Sequence, residues 1–132
     1  MEVILKSFIA VVGAVITFLL EGWSPLLQVL VLFIVFDYGL AIMVAATFGE
    51  LSSKKGFIGI AKKVMILALV AVAYAIDTIM GDNTFTRDAV IFFYIANELI
   101  SILETAGRTD LPIPQILKDA VEKLNGKSKS NE

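Results

Sequence analysis

The chain has 132 residues and a formal net charge of −2, and 58% of its residues are hydrophobic. Its mean hydropathy is +0.84, and its apolar share exceeds the roughly 45–50% of soluble domains. The composition therefore indicates an integral membrane protein. Neither Cys nor His occurs, which excludes disulfides, thiolate nucleophiles, thiolate or imidazole metal ligands and histidine general bases. We expect no enzymatic activity, no metal and no cofactor.

The first apolar run covers residues 3–20. No basic cluster precedes it, and residues 21–23 make a poor cleavage site, so a membrane helix is favoured over a cleaved signal peptide. Small and hydroxyl side chains recur on one face of this run. They favour close approach of another helix, although chance clustering explains the pattern equally well. This close-packing face consists of Ala10, Gly13, Ala14 and Thr17.

The second run, residues 26–48, is the strongest predicted span. Ser24 is placed to cap it, and Pro25 suits its first turn. Its fourteen Leu, Ile, Val and Phe residues favour insertion by about 6 kcal/mol, whereas the central Asp37 costs about 3 kcal/mol. This helix should insert without help from partners.

Residues 50–63 are polar and basic, and their short apolar patch 57–60 is typical of a segment lying on the membrane surface. A third run, residues 64–80, just reaches the minimum length for a span and contains one acid, Asp77. Gly81 is placed to end this helix in the left-handed conformation.

The fourth run, residues 89–105, has polar residues along one side, and Thr84 or Thr86 is placed to cap its helix. Its nine Leu, Ile, Val and Phe residues contribute about −4 kcal/mol to the free energy of membrane insertion. Its polar groups offset nearly all of this contribution. This helix should need partners to remain inserted. The polar stripe, which we interpret as pore-lining or inter-helix, consists of Tyr94, Asn97, Glu98, Ser101, Glu104 and Thr105.

The residues after Gly107 differ in character. An apolar face recurs between Ile113 and Leu124, which predicts an amphipathic helix too short to span. We expect Asn125 and Gly126 to end it and the last six residues to be disordered. The chain thus divides into a four-span membrane domain, 1–106, and a cytoplasmic helix with a disordered basic tail, 107–132.

The predicted fold is therefore an all-α integral membrane protein with four transmembrane helices plus a short C-terminal amphipathic helix. With four spans, ten Lys and Arg residues lie on the side of the termini and Arg87 alone on the other. Charge bias then places both termini in the cytoplasm. A three-span arrangement, with the first run on the surface, would split the basic regions across the membrane.

The intramembrane acids Asp37, Asp77 and Glu98 allow two interpretations. In the structural one, Asp37 and Asp77 are protonated or hydrogen-bonded between helices. In the functional one, they face water. For Glu98 the functional reading is favoured, because five other polar residues share its face.

The order of these features resembles the phage lysis and toxin-secretion holins of Gram-positive bacteria and their phages. The likeness rests on FDYG at residues 36–39, on SSKKGFIGIAKK at 52–63, and on NELISILE at 97–104 followed by LPIP at 111–114. It covers about residues 20–125, and Thr105 stands where the family often has Asn.

The resemblance implies a protein that forms homo-oligomers in the cytoplasmic membrane and opens a non-selective lesion. An endolysin or a toxin would leave through it, for cell lysis or secretion. No nucleic-acid partner is expected. The alternatives are a small ion- or proton-coupled transporter and a non-conducting anchor whose tail recruits a partner.

Overall fold

The computed structural model describes residues 1–21 and 23–130. Every regular element in these two ranges is an α-helix, as predicted. The helices are α1 (Glu2–Glu21), α2 (Pro25–Thr47), α3 (Ser53–Met80), α4 (Phe85–Gly107) and α5 (Gln115–Ser130).

Three of these helices, α2, α3 and α4, are long and apolar enough to cross a membrane. At 1.5 Å per residue, the 23 residues of α2 reach about 35 Å, enough for a hydrocarbon core of roughly 30 Å. The first run forms α1, as expected, but the side chains of Val15 and residues 18–21 lie outside the described part. A fourth span, and with it the orientation of the termini, stays a prediction.

Two helix ends follow the local signals in the sequence. The Ser24 hydroxyl accepts a hydrogen bond from the Leu27 amide at 3.2 Å, and Pro25 opens α2. Gly81 ends α3 with φ +74°, a conformation that a side chain would strain.

The α2, α3 and α4 helices form a bundle around one apolar core. Short connections make neighbours antiparallel, so that α2 and α4 run in the same direction. The core combines residues from all three helices: Leu27, Leu30, Ile34, Val70, Ile91 and Ile95. Within the described residues, α1 packs against α3 alone among the helices.

The α3 helix begins earlier than predicted. The basic segment 50–63 was expected to connect two helices at the membrane surface, but residues 53–63 of it form the first turns of α3. Ser52 caps this helix by accepting from the Lys55 amide at 3.3 Å. Two glycines let α2 come close here. A Cβ on Gly59 would lie 3.2 Å from the Tyr38 ring, and the Tyr38 hydroxyl donates to the Gly56 carbonyl at 3.1 Å.

The C-terminal helix α5 packs along α4, and its Leu124 reaches the core. The prediction that it ends at Asn125 and Gly126 is wrong, because it continues to Ser130. Neither residue forces a helix to end as proline does. Of the six tail residues expected to be disordered, residues 127–130 belong to α5, and the last two lie outside the described part.

Asp77 joins the end of α3 to the start of α4. Its side chain is buried, and its two oxygens accept from the backbone amides of Thr86 and Arg87 at 2.9 and 2.8 Å. The prediction of a threonine hydroxyl cap on α4 is wrong. Thr84 precedes the helix, but its side chain makes no capping hydrogen bond. A carboxylate from the preceding helix satisfies the free amides instead.

We predict that Asp77→Ala lowers the free energy of unfolding by about 2 kcal/mol, because two amides at a helix start lose their acceptor. The measurement is SDS-induced unfolding in mixed micelles, followed by circular dichroism. The control is Asp82→Ala, an exposed acid in the same connection, which should stay within about 0.5 kcal/mol of the parent. Equal effects of the two changes would contradict the assignment.

Candidate functional site

An ion cluster of three side chains lies between the three long helices. Asp37 comes from α2, Lys63 from α3 and Glu98 from α4, each well inside its helix. The Lys63 ammonium lies 2.5 Å from Asp37 Oδ2 and 2.8 Å from both oxygens of Glu98. The two carboxylates are buried, with side-chain exposures of 5% and 4%, whereas that of Lys63 is 21%.

The cluster links helices that are far apart in sequence. One ammonium bonds two carboxylates, so Lys63 holds α3 to both α2 and α4. With both acids ionised, the cluster has a formal charge of −1. Charges inside a membrane protein are costly unless they pair or meet water, so this arrangement is under strong physical constraint.

Lys63 is the site residue that the sequence analysis missed. It was assigned to a cytoplasmic basic segment, together with its neighbour Lys62. The α3 helix instead carries Lys63 inward, whereas Lys62 stays exposed. The sequence did contain a signal for this role of Lys63. Asp37 and Glu98 lie in apolar runs that offer no cation to neutralise them, and a pair of lysines lies at the edge of a third run.

The predicted polar stripe of α4 divides into two parts. Glu98 is buried in the ion cluster, and Tyr94, Ser101 and Thr105 are half-buried. Asn97 and Glu104 are exposed on the outer side of the bundle. The structure thus places the six residues of the predicted stripe in different environments.

Of the other intramembrane acids, Asp37 belongs to the cluster and Asp77 to the α3–α4 junction. Next to Asp77, the buried Arg87 places its guanidinium 5.4 Å from the Tyr74 ring centre and bonds Asp88 at 3.1 Å. The sequence analysis treated Arg87 only as a charge outside the membrane.

The small-residue face of α1 is exposed. Ala10, Gly13, Ala14 and Thr17 are all open in the described structure, and no atom of another element lies within 4 Å of a Cβ built on Gly13. The Thr17 hydroxyl donates to the Gly13 carbonyl of its own helix at 2.9 Å. Close packing of a further helix on this face stays a prediction.

A cavity of about 390 Å³ reaches the cluster from one end of the bundle. Asp37, Lys63 and Ser101 line its inner end, and Glu50, Lys55 and Arg108 line its outer end. At the mouth Arg108 bonds Glu50 at 2.8 Å, and its guanidinium lies 4.8 Å from the Phe48 ring centre. Residues 1–21 and 23–130 contain no group of three acidic, Cys or His side chains that could hold a metal ion.

Comparison with known proteins connects the chain to one family. A family model described as "Bacteriophage holin family" matches residues 14–126. The uncharacterised Listeria monocytogenes protein Lmo0128 is 51% identical over 132 residues, covering 100% of this chain and 94% of that protein. A Clostridium perfringens 14.9 kDa protein is 36% identical, covering 93% and 94%.

A more distant relative carries a functional name. The "probable holin" of Bacillus phage phi105 is 34% identical over 100 residues, covering 76% of this chain and 74% of that protein. No solved structure matches the chain. The resemblance inferred from the sequence is thus confirmed at the level of the family.

We predict that Lys63→Met lowers the free energy of unfolding by about 3–5 kcal/mol, because it leaves two buried carboxylates facing each other without their cation. SDS-induced unfolding in mixed micelles measures the change. Lys62→Met is the matched control, since it makes the same substitution at an exposed neighbour, and it should change little. If both variants unfolded alike, the cluster would not hold the bundle together.

Proposed function

We propose that this chain, which belongs to the bacteriophage holin family, acts as a holin. Several copies assemble in the bacterial cytoplasmic membrane and open a non-selective lesion. The name of the phi105 relative and the three apolar helices of the bundle support a role of this kind.

The observation that carries the proposal is the outer face of α4. Phe93, Asn97 and Glu104 recur there at helical spacing and are exposed. Asn97 lies next to Glu98 in the chain and therefore at the depth of the ion cluster. A lipid tail offers an amide no hydrogen bond, so a polar side chain at this depth favours a protein neighbour or enclosed water.

A second copy of the chain supplies that neighbour. Amide side chains hydrogen-bond well across membrane helices, and each contact contributes about 0.6–2 kcal/mol. In an assembled ring, Asn97 and Glu104 lie between subunits or along the opening. Glu98 stays inside its own subunit as long as Lys63 holds it.

The proposed cargo rests on the resemblance to holins. A non-selective lesion is compatible with the passage of a folded protein. We propose a hydrolase such as an endolysin, or a toxin, as the released protein, and a role in lysis or secretion.

The ion cluster also favours a second candidate, a small ion- or proton-coupled transporter. Buried carboxylates beside a cavity that opens at one end are typical of coupling sites. The two functions differ in flux, because a carrier saturates and selects its substrate whereas a lesion does neither.

A sized leakage assay separates these functions. We predict that the purified protein, reconstituted in liposomes, releases small dyes and then folded proteins, with a rate that rises more than linearly with protein density. Empty liposomes and liposomes with heat-denatured protein are the controls. Saturable flux of one ion, with retention of every dye, would reject the lesion and support the transporter.

We predict that Asn97→Leu weakens self-association about three- to tenfold, because one hydrogen bond between helices is lost. Energy transfer between labelled copies in liposomes measures it, and protein release should be delayed in parallel. The control is Gln28→Leu, the same kind of change at an exposed site in the first turn of α2. Unchanged association in Asn97→Leu, with a normal fold, would reject this face as the interface.

A further inference from the structure

The C-terminal helix, expected in the cytoplasm, lies beside a membrane-spanning helix. After the connection 108–114, α5 runs back along α4, and its Leu124 packs against the apolar core of the bundle. Of the core residues on α4, Ile95 is nearest to the end of the helix, and the chain from Ile95 to Gly107 spans about 18 Å. Because a hydrocarbon core is roughly 30 Å thick, Leu124 lies well inside it.

The side of α5 that turns away from α4 is charged. Ala120, Val121 and Leu124 are half-buried on the packed side. The charged residues are all exposed: Lys118, Asp119, Glu122 and Lys123. Glu122 and Lys123 directly precede Leu124, so they lie at nearly its depth. Charged side chains at this depth are costly against lipid, so the docked helix needs protein or enclosed water on its outer side.

The surface of α4 beneath α5 is apolar. Ile100 and Leu103 of α4 and Val121 of α5 line the groove between the two helices, which has a volume of about 370 Å³. These side chains are compatible with lipid, so α4 exposes no polar group there when α5 leaves. Glu104 lines the same groove and is exposed on the side of α4 that carries Asn97. The charged side of α5 therefore adjoins the exposed side of α4.

We propose that α5 docks on α4 only when copies of the chain assemble, and that its charged side then lines enclosed water. In a lone subunit α5 lies on the membrane surface, where amphipathic helices are stable, and lipid covers Ile100 and Leu103. In the assembly, α5 and the exposed side of α4 form one hydrophilic wall. This inference rests on the proposed self-association, and it adds a second helix to the lining of the opening.

The charges of α5 suit an opening without selectivity. Lys118 and Lys123 balance Asp119 and Glu122, so these residues give the wall no net charge. A lining of one sign would concentrate ions of the opposite sign. A balanced lining is solvated by water and favours neither cations nor anions.

Two glycines offer matched sites for spin labels. A Cβ on Gly126 of α5, or on Gly107 at the end of α4, meets no neighbouring atom within 4 Å. Gly126 follows Glu122 by four residues and so lies on the charged side. The chain contains no Cys, so Asp82→Cys can be combined with Gly126→Cys or, as the control, with Gly107→Cys. Doubly labelled copies are diluted among unlabelled parent protein, and pulsed EPR then measures each distance within one subunit.

We expect the distances to depend on protein density in liposomes. With a single copy in each liposome, the distance from Asp82 to Gly126 should equal or exceed the distance from Asp82 to Gly107. In crowded liposomes it should become about 15 Å shorter than the control distance, because α5 returns along α4 from Gln115 to Gly126. The control distance should stay constant. The Gly126 label should then be more accessible to a water-soluble nickel chelate than to oxygen, which concentrates in lipid.

A charge-removing variant tests the cause. Glu122→Leu combined with Lys123→Leu removes the two charges beside Leu124 and leaves the packed side of α5 unchanged. We expect α5 of this variant to remain docked in a lone subunit, because lipid now covers its outer side at little cost. The short distance should therefore appear at both protein densities.

Several results would overturn the inference. They are a short distance at both densities in the parent, a long distance at both while energy transfer shows association, a docked label that oxygen reaches more readily than the chelate, and a double-leucine variant that behaves like the parent. Liposomes that leak while α5 stays on the surface would reject the docking alone. Absence of association would reject the proposed function and the docking together, whereas shortening without leakage would reject only the lesion.

Discussion

The bundle depends on one ammonium group shared by two buried carboxylates. Lys63 bridges α3 to both of its neighbours, and it bonds acids that lie 26 and 35 positions away. Apolar packing between membrane helices has little specificity, because lipid tails are as apolar as the side chains. The cluster therefore fixes the rotation of each helix more strictly than the surrounding Leu, Ile and Val residues do.

This constraint explains why the polar residues of α4 fall into two groups. The ion cluster turns Glu98 inward, and helical geometry then turns Asn97 outward by about 100°. A helix whose hydrophilic side chains all faced its own subunit would have no reason to associate. The same rotation that satisfies Glu98 leaves an amide on the surface for another molecule.

Much of this architecture could be predicted from local patterns. The three apolar runs, the Ser24 cap and the Gly81 terminus depend on residues close in sequence, and the structure has them as expected. The start of α3 could not be predicted in this way. Lysines at 54, 55, 62 and 63 made the segment look like a surface connection, and only the distant Asp37 and Glu98 make a helix with an inward lysine favourable. The Asp77 cap was missed for the same reason, because its partners belong to the next helix.

The shared carboxylate at the α3–α4 junction also limits how the subunit can rearrange. Asp77 belongs to α3 and caps the start of α4, so separating the two helices would expose its carboxylate and two backbone amides at once. A conformational change that keeps this carboxylate cap intact must therefore move α3 and α4 together, as one hairpin, relative to α2.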